Sequence, residues 1–282
     1  MDSYHLQTSD QLLTARALAL IELIQDAHAT LQRETDLTPA NTTVTDTIAH
    51  LLNRIRESYT TDEIQSVLDN EAIKDIQGEL LAKLAEAEYQ VELFESERYS
   101  SLIPITVTDL EQFKNWNNYV NLIERELAHL PHELQHASPI VFIGSGPLPL
   151  SAILISQKMQ VKVIGVDTNP EACASAQLLL QRLGLDDRIT IVHGNGTTFD
   201  YAKYPLIFIA SLVTNKPEVF EQIQRTNPDA IVVVRSVEGM RQLAYVKVPE
   251  EEISASGWSL FSKAMPTAAK VINSTLFYRY HA

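Results

Sequence analysis

Glu88 and Glu92 lie four residues apart in an apolar-periodic stretch, so a helix through them places both carboxylates on one side, able to share a pocket. A carboxylate held partly out of water binds its proton more tightly. It then becomes a competent acceptor for the proton of a substrate ammonium. A second carboxylate beside it raises one of the two pKa values further. Glu92 is the leading base and Glu88 the second candidate. The run Glu86, Glu88, Glu92, Glu95 and Glu97 reads equally well as a solvated acidic face.

A different chemistry is signalled by Gly144-Ser145-Gly146-Pro147-Leu148-Pro149-Leu150, which follows the apolar run from Pro139 to Ile143. Glycines at such a turn let the backbone approach a ligand and expose its N–H groups. Pro149 stands where a pyrophosphate-binding fingerprint needs its third glycine, so the dinucleotide pattern fails. Asp167, at the end of the next apolar run, is placed to accept hydrogen bonds from the hydroxyls of a ribose. Gly194-Asn195-Gly196 follows the third run, near the expected adenine. Together these suit an adenosine without a pyrophosphate, and S-adenosylmethionine is the expected ligand.

The elements that must hold these groups fall into two kinds. Helical periodicity runs through 11–31, 46–58, 61–70, about 75–97 and about 108–130, with Ile103-Pro104 as a break and Thr60 with Glu63 as a capping box. The Thr-rich stretch from Thr35 to Thr45 reads as a surface loop. From residue 139 onward, strands at 139–143, 161–166, 189–193, 206–210 and 231–234 alternate with helices near 150–157 and 170–183, as right-handed βαβ units do. Leu243 to Val248 and Ile272 to Tyr280 read as a closing antiparallel pair. The expected fold is α/β, a class I methyltransferase-like (Rossmann-type) sheet in residues 137–282 preceded by an all-α helical domain in 1–136.

Composition agrees with that division. The chain has 282 residues and a formal charge of −14; residues 1–136 carry 9 Lys or Arg against 24 Asp or Glu, and residues 137–282 carry 13 against 12. An acidic surface argues against nucleic acid as a partner, whereas a cationic sulfonium and an amine would tolerate it. No apolar stretch is long enough to span a bilayer, and the polar start MDSYHLQTSD lacks the features of a signal peptide. A cytoplasmic protein is expected, with no membrane partner and a homodimer left open. The single Cys173 reads as an inert buried thiol. His129, His132 and His136 are interrupted by Pro131 and read as no metal site.

The turn Gly144 to Leu150 resembles the GSGPLPL turn of the nicotianamine synthase family, which includes bacterial opine-metallophore histidine 2-aminobutanoyltransferases. The likeness recurs in Ala85-Glu86-Ala87-Glu88 with Glu92, in Asn117-Asn118-Tyr119, in Ala210-Ser211-Leu212-Val213, in Val234-Arg235-Ser236 through Arg241 with Tyr245, and in Val271-Ile272-Asn273-Ser274. It implies transfer of the 3-amino-3-carboxypropyl (2-aminobutyrate) arm of S-adenosylmethionine to an amine, with release of 5′-methylthioadenosine. The implied acceptor is a small amino acid, histidine in the bacterial type, and the product a metallophore precursor. Multiple transfers, as in nicotianamine synthase proper, a conventional methyltransferase and a nucleoside-binding regulatory protein stay open as alternatives.

On that resemblance Glu92, Glu88 and Tyr119 are the expected catalytic groups, Tyr119 orienting the amine or the base. Trp116 is expected to supply an aromatic wall. Gly144, Ser145, Gly146, Pro147, Leu148, Asp167, Asn195, Ala210 and Arg235 are the expected S-adenosylmethionine contacts. Arg235, or else Arg241, is the cation for the arm's carboxylate, and Asn273 meets polar groups in the same cleft. The helical half is expected to lid the nucleoside site and exclude water.

Overall fold

The computed structural model describes residues 14–266 and 272–281. Val271 of the family motif, the polar start and the first residues of the first predicted helix lie outside them. Short apolar runs build one sheet: β1 (Ile140–Ile143), β2 (Val163–Asp167), β3 (Ile189–His193), β4 (Leu206–Ile209), β5 (Ile231–Ser236), β6 (Trp258–Ala264) and β7 (Ser274–Tyr280). Their order is β3-β2-β1-β4-β5-β7-β6, with β7 antiparallel to β5 and β6. Every residue of β1, β4 and β5 is buried, as expected of parallel strands covered on both faces. Phe142, Phe208 and Val233 pack into the core on one face, while Val141, Ile207 and Val232 pack into the core on the other. The strand order reverses between β1 and β4, which opens a crevice at their carboxyl ends.

Helices α1 (Ala15–Arg33), α2 (Thr42–Ile55), α3 (Thr61–Leu68), α4 (Glu71–Ser100) and α5 (Trp116–Ala128) precede the sheet; α6 (Leu150–Met159), α7 (Pro170–Leu183), α8 (Lys216–Thr226) and the short α9 (Glu250–Ala255) lie within it. The capping box at Thr60 and Glu63 is present. Leu20 and Ile24 of α1, Leu51 of α2, Val67 of α3 and Leu80 of α4 form a separate core, to which Met240 and Leu243 return from the second half. Tyr99 at the other end of α4 and Trp116 and Ile123 of α5 belong instead to the core under the sheet. The cores therefore divide within α4, and α5 packs with the sheet half. No helix among the described residues is long and apolar enough to cross a membrane.

Three sequence expectations are corrected. Leu243 to Val248 is no strand: a short 3-10 helix at Gly239–Leu243 buries its apolar residues in the helical core. The strand that pairs with β7 is β6, behind α9. The loop predicted from Thr35 to Thr45 ends early, because the Asn41 side chain accepts the backbone N–H groups of Thr43 and Val44 and starts α2 at Thr42. The helix predicted over 108–130 is a 3-10 turn at Val107–Gln112 followed by α5, the chain being extended at Phe113.

Candidate active site

A cavity of about 880 Å³ occupies the crevice and runs under the helices. The loops after β1, β2, β3 and β4 line one wall, and α2, α4 and α5 line the other, so the helical half covers the strand ends. Gly144, Ser145, Gly146, Pro147, Leu148, Asp167, Asn195, Ala210, Arg235 and Asn273 all reach this cavity, as do Glu88, Glu92 and Tyr119.

The turn after β1 needs its glycines. Gly144 and Gly146 have φ of +77° and +67°, a region that side chains disfavour. A β-carbon on Gly144 would meet Val213 at 2.9 Å, and one on Gly146 would meet Glu92 Oε2 at 2.6 Å. Asp167 braces the turn: its Oδ2 accepts from the Gly146 N–H at 2.8 Å and its Oδ1 from the Asn169 N–H at 2.9 Å. Each oxygen keeps a lone pair for a ligand hydroxyl. Ser145 Oγ is buried with no hydrogen-bond partner among the described residues, a polar atom awaiting one.

Opposite the turn, α4 presents Glu88 and Glu92. Tyr119 Oη donates to Glu92 Oε1 at 2.8 Å, and Tyr245 Oη donates to Glu88 Oε2 at 2.9 Å. Both carboxyls face the cavity and are half-buried. Burial raises the Glu88 pKa, the Tyr245 hydroxyl opposing it. For Glu92, burial and then the charge of Glu88 push the pKa up to about 8, against the Tyr119 hydrogen bond and Arg235. A carboxyl titrating there, beside a nucleoside-type turn, is a poised proton acceptor.

The loop after β4 is tied down by Lys216. This buried lysine donates to Ser211 O at 2.9 Å and to Val213 O, and burial lowers its pKa to about 8. Asn273 Nδ2 donates to Ser211 Oγ at 2.8 Å, joining the same loop to the entry of β7.

Arg235 has a structural partner. It reaches the cavity wall, but Nε and one terminal nitrogen grip the fully buried Glu126 at 2.9 and 3.1 Å, while the other terminal nitrogen donates to Ser151 Oγ at 3.0 Å. Three of its five N–H groups are thus spent on holding α5 to β5, and it faces the cavity with Glu126 as its counter-charge. Arg241 does not line the cavity. Trp116 is also misplaced as a wall: it is buried in the core, and Phe113, with its ring 6.4 Å from that of Tyr119, lines the cavity instead.

Cys173 is buried, with its thiol pushed up to about 11, first by burial and then by Asp167. His129 Nδ1 pairs with Arg125 O and its ring stacks on Phe277. Sequence reasoning passed over Tyr89, which donates to Glu171 beside the Asp167 loop, and Arg56; both line the cavity.

The sheet order, the braced glycine turn and the helical cover define a class I methyltransferase-like protein with a capped crevice. The chain belongs to the nicotianamine synthase family, whose model, "Nicotianamine synthase protein", matches residues 14–282. Nicotianamine synthase 3 of Oryza sativa subsp. indica is 30% identical over 227 residues, covering 73% of this chain and 63% of that protein. Nicotianamine synthase 3 of Arabidopsis thaliana is 32% identical over 184 residues, covering 61% and 57%. The match thus spans less than two thirds of the length of these relatives. Among solved structures, MtNAS in complex with MTA and tNA has a TM-score of 0.80 at 20% identity, covering 93% of this chain and 98% of that one. A glutamate-to-glutamine variant of MtNAS in complex with S-adenosylmethionine has 0.77 at 20%, covering 92% and 97%. At these identities the likeness concerns the fold.

Proposed function

We propose that the protein transfers the 3-amino-3-carboxypropyl arm of S-adenosylmethionine to the amine of an amino acid, histidine, releasing 5′-methylthioadenosine, in the synthesis of an opine-type metallophore precursor. One observation carries the reading: Glu92, a base titrating near 8, has its carboxylate against Gly146 and its other oxygen on Tyr119. The groove for the adenosine and the acceptor's proton sink therefore meet across the cavity. The family membership supports the arm as the group transferred, and the S-adenosylmethionine bound to the MtNAS variant supports the donor.

In this reading Gly144 to Leu148, Asp167 and Asn195 hold the nucleoside. The acceptor ammonium gives its proton to Glu92. The freed nitrogen lone pair then attacks the arm carbon bonded to sulfur, the new C–N bond forms, and the C–S pair returns to sulfur, leaving a neutral thioether. Binding the cationic sulfonium favours the ionised form of Glu92 and brings its pKa down toward the working pH. The covering helices exclude water, and the position of the acceptor decides which sulfonium carbon is attacked in line.

The test is incubation with S-adenosylmethionine and L-histidine, D-histidine or no acceptor, followed by mass spectrometry. Methylthioadenosine together with histidine heavier by one C4H7NO2 group is expected. S-adenosylhomocysteine would mean methyl transfer, and binding without either product a non-catalytic role. Glu92→Gln should bind S-adenosylmethionine and lose roughly 10²- to 10⁴-fold in turnover.

A further inference from the structure

The helical side of the cavity contains a cation that none of the roles above uses. Thr45, Ile48, Ala49, Leu52, Asn53 and Arg56 of α2 all line the cavity, at the i, i+3, i+4 spacing of a single helix face, and Arg56 is the last of them, at the helix C-cap. Arg56 Nε is buried with no hydrogen-bond partner among the described residues, and the same is true of Arg241 Nε. Burial lowers the Arg56 pKa, the Tyr245 hydroxyl opposes this, and the charge of Arg241 adds to it. Two neighbouring cations, partly stripped of water and unmatched by an anion among the described residues, form a place that favours one.

The charges along the cavity have an order. Arg56 is beside Tyr245, Tyr245 is bonded to Glu88, Glu88 stands one turn from Glu92, and Glu92 touches the turn that Asp167 braces. Arg56 and the nucleoside turn are therefore at opposite ends of this string, with the base between them. The carboxylate of the donor's arm travels with the nucleoside, at the far end. A second anion, belonging to the acceptor, matches the Arg56 end, and a guanidinium fork suits a planar carboxylate.

We infer that Arg56 binds the α-carboxylate of the acceptor, making the α2 end of the cavity the acceptor subsite and restricting acceptors to α-amino acids over simple amines. This rests on the aminobutyrate-transfer reading above. With the carboxylate on Arg56, the α-amine of the acceptor points along the string toward Glu88 and Glu92. Arg56 thus sets specificity and orientation, while Glu92 takes the proton.

The test pairs histidine with histamine, which lacks only the carboxylate, in wild type, Arg56→Met and Arg56→Lys, each substrate being varied in turn. Wild type should prefer histidine by about 100-fold or more in kcat/KM, because histamine leaves a desolvated cation unpaired. Arg56→Met should raise the KM for histidine by a similar factor, leave the KM for S-adenosylmethionine unchanged and bring the two acceptors to near equality; Arg56→Lys should fall between. Unchanged discrimination in Arg56→Met would overturn the assignment. A KM increase confined to S-adenosylmethionine would do the same, by placing the arm's carboxylate on Arg56. If Arg56→Met does not fold by circular dichroism, the acceptor ratio in Arg56→Lys decides. If wild type releases no methylthioadenosine with any amino acid, the transfer reading fails by itself. Calorimetric binding of histidine and histamine to wild type and Arg56→Lys then still judges the carboxylate contact, equal affinities refuting it.

Discussion

Glu92 Oε2 stands 2.6 Å from the point where the β-carbon of any other residue would project at Gly146, so the carboxyl on α4 is seated directly on the glycine turn after β1. That contact couples the turn after β1 to a helix that spans both cores. Gly146→Ala should abolish S-adenosylmethionine binding and destabilise the protein, through the clash and through a positive φ that costs alanine about 1 kcal/mol. Adding Glu92→Ala should recover the part of the loss due to the clash and leave the backbone part. A double-mutant cycle by chemical denaturation separates them, and strict additivity would mean that the two residues do not touch.

The pH profile should report the same carboxyl. With Glu92 titrating at about 8, kcat/KM should rise with pH and level off above that value. Tyr119→Phe removes a donor that favours the charged form, so its limb should move to higher pH. Glu88→Gln removes the like charge and should move the limb lower. Initial rates between pH 6 and 10 distinguish these opposed shifts.

Stability should follow the opposite trend. The folded-state pKa of Glu92 lies above its ordinary value of 4.5, so the native protein retains a proton that the unfolded chain has lost. The contribution is complete below about 4.5 and disappears as pH rises through about 8, with a slope of at most about 1.4 kcal/mol per pH unit. Glu92→Gln should remove that part of the slope, as guanidinium midpoints at pH 5 and pH 8 would reveal.

The Arg235 and Glu126 pair predicts a fourth result. Glu126→Gln leaves a buried guanidinium without its counter-charge and should cost about 3–5 kcal/mol. The double variant Glu126→Leu with Arg235→Met should restore most of that, as read from unfolding midpoints. If Arg235 instead served a ligand, the double variant would regain stability but lose S-adenosylmethionine affinity.

Local signals in the sequence mark much of this arrangement. The capping box at Thr60, the strand from Ile189 to His193, the helix from Pro170 to Leu183 and the turn at Gly144 to Leu150 depend on near neighbours, and each stands where the pattern puts it. Glu92 and Tyr119 were readable as site residues, but only the fold brings Tyr119 onto Glu92 and Tyr245 onto Glu88. What could not be read depends on distant partners. Nothing near Arg235 announces Glu126, 109 residues away. The apolar residues from Leu243 to Val248 mimic a strand because Leu243 and Ala244 pack into the core built by α1 to α4 while Val248 packs under the sheet. Strand β6 is masked by its place at the sheet edge, where Leu260 and Phe261 stay exposed and a register shift interrupts the alternation.

The 30-residue helix α4 starts in one core at Ile73 and ends in the other at Tyr99, carrying the base where the two meet. A chimaera joined at residue 136 would therefore exchange the proton acceptor together with its lid and set a foreign carboxylate on the native glycine turn. A junction inside α4, after Ala87, would instead carry the whole helical core, with the 3-10 segment from Gly239 to Leu243 that completes it, and leave Glu92 on the native turn. The seam that matters in this chain is thus inside one helix, between Ala87 and Val91, and not in the linker before the sheet.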